Sequence, residues 1–388
     1  VKRALAFAIA LVACREAAPA QPAIVIANVA PRDASITTVD AAAPAVEDPF
    51  ELAMSYGRIC ARIRGRVHCG TLADPNRPLS AEDPIGGIDD AVSIGTSTYV
   101  LCIATRRGTV HCTGDNRFGQ LGARLRDEQT TSLVRVARIA NARKIAVGPW
   151  HACAVLENGR VSCWGRNENA QTGSTISYDQ AARELVEPTE VPGLEGVAAI
   201  SATFGTTCAT TKLHDTWCWG RALLEEHERQ RGAQHEAPTR LAILDAIDGV
   251  DANEGTFCGV RAGEIVCWGE GTSLLPYGGE HGKPRALAIT RARKVRVAPS
   301  HGCALLDDAT VSCFGSSYSG ALGRPTEGYE TLPPAVVQGL PPIVDIAVGG
   351  SMSCAITEAR DVYCWGTFPP QNGQERKETA PIRVRVFD

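Results

Sequence analysis

Cysteine is the residue with the most chemistry to offer in this 388-residue chain, which contains 15 of them. Cys14 stands alone. The others fall into seven pairs: Cys60 with Cys69, Cys102 with Cys112, Cys153 with Cys163, Cys208 with Cys218, Cys258 with Cys267, Cys303 with Cys313 and Cys354 with Cys364, each 9 or 10 positions apart. Paired thiols can ligate a metal, lie reduced in a core or close a disulfide. Structural zinc sites usually leave two to four residues between their cysteines, whereas eight or nine intervene here. A β-hairpin suits the spacing better. With Cys153 opposite Cys163, Val155 faces Val161 and Glu157-Asn158-Gly159 remains as a three-residue loop, with Gly where a left-handed residue is needed. A separation of 9 leaves the two-residue loops Arg64-Gly65 and Ala262-Gly263. Facing residues on antiparallel strands lie roughly 4.5–5.5 Å apart, within reach of a disulfide. The spacing therefore predicts one disulfide per pair.

No other residue type forms a comparable pattern. The sequence has no phosphate-binding Gly-x-x-x-x-Gly-Lys loop, no dinucleotide fingerprint, no Gly-x-Ser-x-Gly and no His-Glu-x-x-His. His151 and His301 stand two residues before a first cysteine, where the other pairs have Arg58, Val100, Thr206, Thr256 and Met352. They are read as residues at the start of a strand, satisfied by nearby backbone. His227, His235 and His281 lack the helical spacing of a metal site, and neither metal nor cofactor is expected. Lys and Arg total 39 against 43 Asp and Glu, a net charge of −4, which gives no pull towards nucleic acid. One basic run, Arg291, Arg293, Lys294 and Arg296, is expected on a solvated blade rim.

The cysteines belong to a larger repeat. Before them stand alternating segments such as ARKIAVGPWHAC (142–153), ARKVRVAPSHGC (292–303) and VDIAVGGSMSC (344–354). After the second cysteine come Trp164, Trp219, Trp268, Phe314 and Trp365, each followed by Gly. A further apolar segment closes each unit, as in PTEVPGL (188–194), PTRLAIL (238–244) and PIRVRVF (381–387). First cysteines recur every 42 to 55 residues. Four strands per unit at such a period predict an all-β, seven-bladed β-propeller, whose sheets must stack because none can cover its own faces. The aromatics, one residue past a cysteine, fall on the opposite sheet face and are expected to pack between blades, towards the next one.

TGDNRFGQLG (113–122), with weaker echoes in GRNENAQTG (165–173) and GSSYSGALG (315–323), completes a pattern that resembles the RCC1 repeat, named for the regulator of chromosome condensation. The resemblance covers residues 50–388 and implies a seven-bladed propeller. By family analogy it also raises guanine-nucleotide exchange. The cysteine pair in each repeat departs from the eukaryotic regulator and resembles secreted bacterial lipoprotein members.

Residues 1–14 read as a lipoprotein signal peptide: Lys2-Arg3, an apolar run too short to span a membrane, and LVAC ending at Cys14, the expected lipid anchor. Residues 15–49, rich in Ala and Pro, read as a tether. The expected address is the cell envelope, with secretion as the alternative.

Function is then expected on the surface. The connections 166–187, 221–237, 270–283, 316–334 and 367–380 vary in length and chemistry on a uniform frame, and 222–237 has a charged, helical character. These features point to a non-enzymatic, surface-tethered binding protein engaging a protein or an envelope polymer through its loops. A glycan-active enzyme built on the propeller is the other alternative.

Overall fold

The computed structural model describes residues 50–55, 58–72, 85–125, 127–174, 184–221, 234–253, 256–269, 283–316, 318–326, 330–371 and 374–384. The Cys14 anchor, the tether 15–49, residues 222–233 of the segment 222–237 expected to be helical, residues 270–282 of the connection 270–283, and the residues His227 and His281 lie outside them; residues 234–237 belong to a strand, Gln234–Arg240, and not to a helix.

The described residues build seven antiparallel sheets, each from strands consecutive in the chain. Blade 3 is representative: Ala142–Val147, His151–Leu156, Val161–Arg166 and Glu184–Glu190 pair in simple meander order. The first strand of each blade is innermost. These inner strands are Glu51–Ser55, Ala91–Thr96, Ala142–Val147, Val197–Ala202, Asp248–Asn253, Ala292–Val297 and Ile343–Gly349. Blade 1 has three described strands and the others have four.

The hairpins have the expected register. Cys153 faces Cys163 and Val155 faces Val161. Gly159 takes φ +79°, while Leu156 N–H donates to Arg160 O at 2.8 Å and closes the three-residue loop. In the shorter loops Arg64 and Gly65 take φ 51° and 78°, and Ala262 and Gly263 take 49° and 83°, the double left-handed turn that matches strand twist. In every blade the two cysteines are directly opposed and joined. Cys60 bonds Cys69, Cys102 bonds Cys112, Cys153 bonds Cys163 and Cys208 bonds Cys218, each with Cα atoms 4.1 Å apart. Cys258 bonds Cys267, Cys303 bonds Cys313 and Cys354 bonds Cys364 at the same 4.1 Å. Cys69 is half-buried, and the other thirteen of these cysteines are buried.

The glycine after each aromatic has a steric cause. At Gly165, φ is +104° and an added Cβ would lie 2.5 Å from the Trp150 carbonyl oxygen. Pairing with the outer strand shifts register between Cys163 and Gly165, so the glycine forms a bulge that no other residue enters without strain.

The aromatics do fill the seams between blades, but they face the preceding blade rather than the next. Trp164 packs with Val100, Cys102 and Cys112 of blade 2, and its indole N–H donates to the Gln120 carbonyl at 2.9 Å. Trp365 likewise donates to Ala321 of blade 6 at 2.8 Å. Five cystines therefore meet the aromatic of the following blade. Beyond the one against Trp164, Cys153 and Cys163 meet Trp219, Cys208 and Cys218 meet Trp268, Cys258 and Cys267 meet Phe314, and Cys303 and Cys313 meet Trp365. The remaining two seams use aliphatic residues, because blades 1 and 2 have Gly70 and Thr113 at the aromatic position. Cys60 and Cys69 pack among Ala91, Ile94 and Leu101 of blade 2, and Cys354 and Cys364 among Leu52, Met54 and Ile59 of blade 1. Gly122, ending GQLG, belongs to the seam of blades 2 and 3, since a Cβ there would come within 3.0 Å of the Trp164 ring.

The outer strands begin earlier than their apolar segments suggest. They run Glu184–Glu190 and Gln234–Arg240, and Ala242–Leu244 is a 3-10 turn. Val191, Leu194, Leu241 and Leu244 are apolar because they fill the seams after the strand has ended. In blade 7 the connection 367–380 is not a loop. Val362–Gln371 and Gln374–Val384 form one long hairpin, with Thr367 facing Lys377 and Phe368 facing Arg376; buried Phe368 anchors it in the core shared with blade 1.

Candidate functional site

Turns between first and second strands and between third and fourth emerge on one face. Blades 2 to 4 place aromatic residues there. Phe118 rides on the turn after Asp115, and Asn116 and Gln120 hold that turn from within. Asn116 Oδ1 accepts Leu121 N–H at 3.0 Å and Gln120 Oε1 accepts Phe118 N–H at 2.8 Å. Trp150 sits in the turn before His151, and Phe204 in the equivalent turn of blade 4.

These rings form one half-buried cluster. Trp150 meets Phe204 edge-on at 4.9 Å and Phe118 at 6.2 Å. Arg166 lays its guanidinium over both Phe118, at 4.7 Å, and Trp150, at 4.4 Å, and Glu168 holds it at 2.5 Å. Cation–ring attraction strengthens as water is excluded. The cluster is therefore a rigid apolar and cationic patch, and Tyr99, 47% exposed, stands on the same face.

The inner strands enclose a central channel of about 540 Å³ lined by all seven blades. Its side chains stitch neighbouring blades together. Glu51 of blade 1 accepts the Ile94 N–H of blade 2 at 3.1 Å and also holds the buried Arg62 at 3.1 Å. Ser93 of blade 2 accepts Ile145 N–H at 3.4 Å. Asp251 of blade 5 accepts Val297 N–H at 2.8 Å and Arg296 at 3.2 Å. Asp345 of blade 7 accepts the Leu52 N–H of blade 1 at 2.9 Å and pairs with Lys294. Burial lowers the Lys294 ammonium, and neighbouring Arg296 adds to the effect; burial also raises the Asp251 carboxyl against the pull of Arg296.

The basic run is thus not a solvated rim. Register shifts between Ala292 and Lys294, so Arg293 is the bulged residue and Lys294 and Arg296 share the channel side, while Arg291 stays outside on Asp308 at 2.6 Å.

His151 and His301 are fully buried. Each reaches into the following blade, His151 Nε2 to the Thr207 hydroxyl at 2.8 Å rather than to backbone, and His301 Nε2 to Ser353 Oγ at 2.9 Å and to the Met352 backbone carbonyl at 3.2 Å. Burial pushes His151 down to about 3 and His301 down to about 4, so both are neutral at physiological pH. Among the described residues no three metal-ligating side chains converge.

The sequence-predicted residues therefore divide. The fourteen paired cysteines and Trp164, Trp219, Trp268, Phe314 and Trp365 are frame residues of the seams. Phe118, Trp150, Phe204, Arg166 and the channel charges carry the surface chemistry; sequence reasoning gave the aromatics and Arg166 no role and placed Lys294 and Arg296 on a rim instead of in the channel. One signal was present: GPW (148–150) holds a tryptophan where the matching turns have Ala298-Pro299-Ser300 and Gly349-Gly350-Ser351.

Comparison with known proteins agrees with this architecture. A profile for the regulator of chromosome condensation (RCC1) repeat matches residues 142–171 and 343–374, and a second of the same description matches 308–356. Protein pim1 of Schizosaccharomyces pombe is 27% identical over 164 residues, 38% of this chain and 30% of that protein; the chain spans under a third of that relative's length. Among solved structures, human WBSCR16 superposes with a TM-score of 0.65 at 17% identity, covering 84% of this chain and 87% of that one. Prp20p of Saccharomyces cerevisiae gives 0.60 at 18% identity, covering 80% and 83%. At such identities the structural likeness speaks for the fold alone. Together with the cystine in every blade, it shows a seven-bladed β-propeller whose residues 142–171 and 308–374 match the RCC1 repeat.

Proposed function

We propose that the chain is a non-enzymatic binding protein that engages another protein through the loop-bearing face of its propeller, held at a membrane surface by a lipid on Cys14. The Phe118–Trp150–Phe204 cluster with Arg166 supports this reading most directly. Aromatic and arginine side chains supply most of the energy of protein interfaces, above all where packing has already fixed their rotamers. Here the frame fixes them before any partner arrives. Prp20p, of the same fold, has been characterised for binding to Gsp1p and histones; for this chain the partner is proposed only as a protein.

The test is retention of a partner from envelope extract on the full chain. Trp150→Ala is expected to weaken the captured complex by about tenfold or more, as for a hot-spot residue, with far-UV circular dichroism unchanged. A partner held equally by wild type, Trp150→Ala and Phe204→Ala would move the site off this face, and capture of saccharide alone would replace the protein partner with an envelope polymer. The anchor is tested separately by metabolic labelling with a fatty acid. Label is expected on the wild type and lost in Cys14→Ser, and an unlabelled wild type removes the anchor from the proposal.

A further inference from the structure

The central channel carries a charge opposite to that of the chain. Among the described residues six cationic side chains, Arg62, Arg143, Lys144, Arg293, Lys294 and Arg296, face four carboxylates there, Glu51, Asp248 and Asp251 of the lining and Asp345 paired with Lys294, although the net charge of the whole protein is −4.

The carboxylates are already occupied. Glu51 accepts from Arg62 and Ile94 N–H through Oε2 and from the Ser93 hydroxyl through Oε1. Asp251 uses Oδ1 for Arg296 and Oδ2 for Val297 N–H. Asp248 pairs with His214. The cations keep donors in reserve. An ammonium has three N–H groups and a guanidinium five, yet Lys144 donates to the Ala198 carbonyl at 2.6 Å, Lys294 to Asp345 and Arg296 to Asp251 at 3.2 Å. Lys144 comes from blade 3 and the other two from blade 6, across a seven-membered ring. They are close enough that Lys294 and Arg296 add to the burial that lowers the Lys144 ammonium, while Glu51 opposes it. Like charges gathered around spare donors fit an acceptor-rich anion between them.

We propose that the channel binds an oxyanion, a phosphate or carboxylate group, between Lys144 on one side and Lys294 and Arg296 on the other. Phe204 of the aromatic cluster borders the same channel, but the proposed site uses none of that cluster's side chains and does not depend on the protein partner.

The experiment is calorimetric titration of the full, oxidised chain at constant ionic strength, with sodium phosphate and sodium citrate as two arms and sodium chloride as reference. Saturable one-site binding below about 10 mM is expected in at least one arm, and the arm that saturates tells phosphate from carboxylate. Lys144→Met removes a charge that belongs to no ion pair among the described residues and is expected to weaken binding about tenfold or more. Lys144→Gln, which keeps a donor for the Ala198 carbonyl, serves should the methionine variant fail to fold; it is expected to bind as weakly, and Lys144→Arg to bind as wild type. Heats in both arms no different from chloride would overturn the proposal. So would equal affinity in wild type and Lys144→Gln.

Discussion

Asp345→Ala is expected to destabilise the propeller by about 3–5 kcal/mol, the range for removing one partner of a buried charge pair. Asp345 is 2% exposed. Its two oxygens serve three donors: the Leu52 N–H of blade 1, its own strand's Ile346 N–H and the Lys294 ammonium of blade 6. Truncation leaves a half-buried ammonium without its anion and a buried backbone N–H without its acceptor, in the seam where the last blade meets the first. Asp345→Asn keeps an acceptor for Leu52 and loses only the charge, so a smaller loss, about 1–3 kcal/mol, is expected. Urea unfolding of both variants under oxidising conditions measures the two losses. A loss under about 1 kcal/mol for the alanine variant, typical of an exposed ion pair, would show that packing alone closes the ring.

Acid should unfold the protein through its two buried histidines. Their folded values, about 3 for His151 and about 4 for His301, lie below the free value of roughly 6.5. Between the two the unfolded chain binds more protons than the folded one, so stability rises with pH. The contribution is complete above pH ~6.5 and is lost as pH falls towards the folded values, at a rate on the order of 1.4 kcal/mol per pH unit for each histidine. Urea midpoints from pH 7.5 to 5, a window above most carboxylate titration, are expected to fall steadily. The double variant His151→Gln, His301→Gln should flatten the slope whatever its absolute stability. A wild-type midpoint that stays level across this window would contradict the buried neutral assignment.

The hairpins were legible because their chemistry is local: nine or ten residues fix the cystine, the turn and the register together. The seams were only half legible. Alternation puts Trp164 on the sheet face opposite Cys163, but which blade that face meets depends on the hand in which the ring is wound. The channel was hidden further. A single bulged residue, Arg293, moves Lys294 and Arg296 to the side opposite the one simple alternation gives, and Asp251 and Asp345 come from the neighbouring repeats on either side. The aromatic patch draws Phe118, Trp150 and Phe204 from three repeats, at turns where no shared pattern marks them.

Each described sheet is made from one uninterrupted run of chain, and no described strand is lent to a neighbour. A duplicated stretch of gene encoding an inner strand, a clipped hairpin and an outer segment would therefore deliver a complete structural module. It would bring a cystine for the seam on one side and, in five of the seven repeats, an aromatic for the seam on the other. Recombination between repeats can then change their number or order without leaving a strand unpaired. The two positions without an aromatic, Gly70 and Thr113, show that individual copies can diverge while the ring is kept. Selection can act on the turns of one copy, as at Trp150, while the remaining copies preserve the frame.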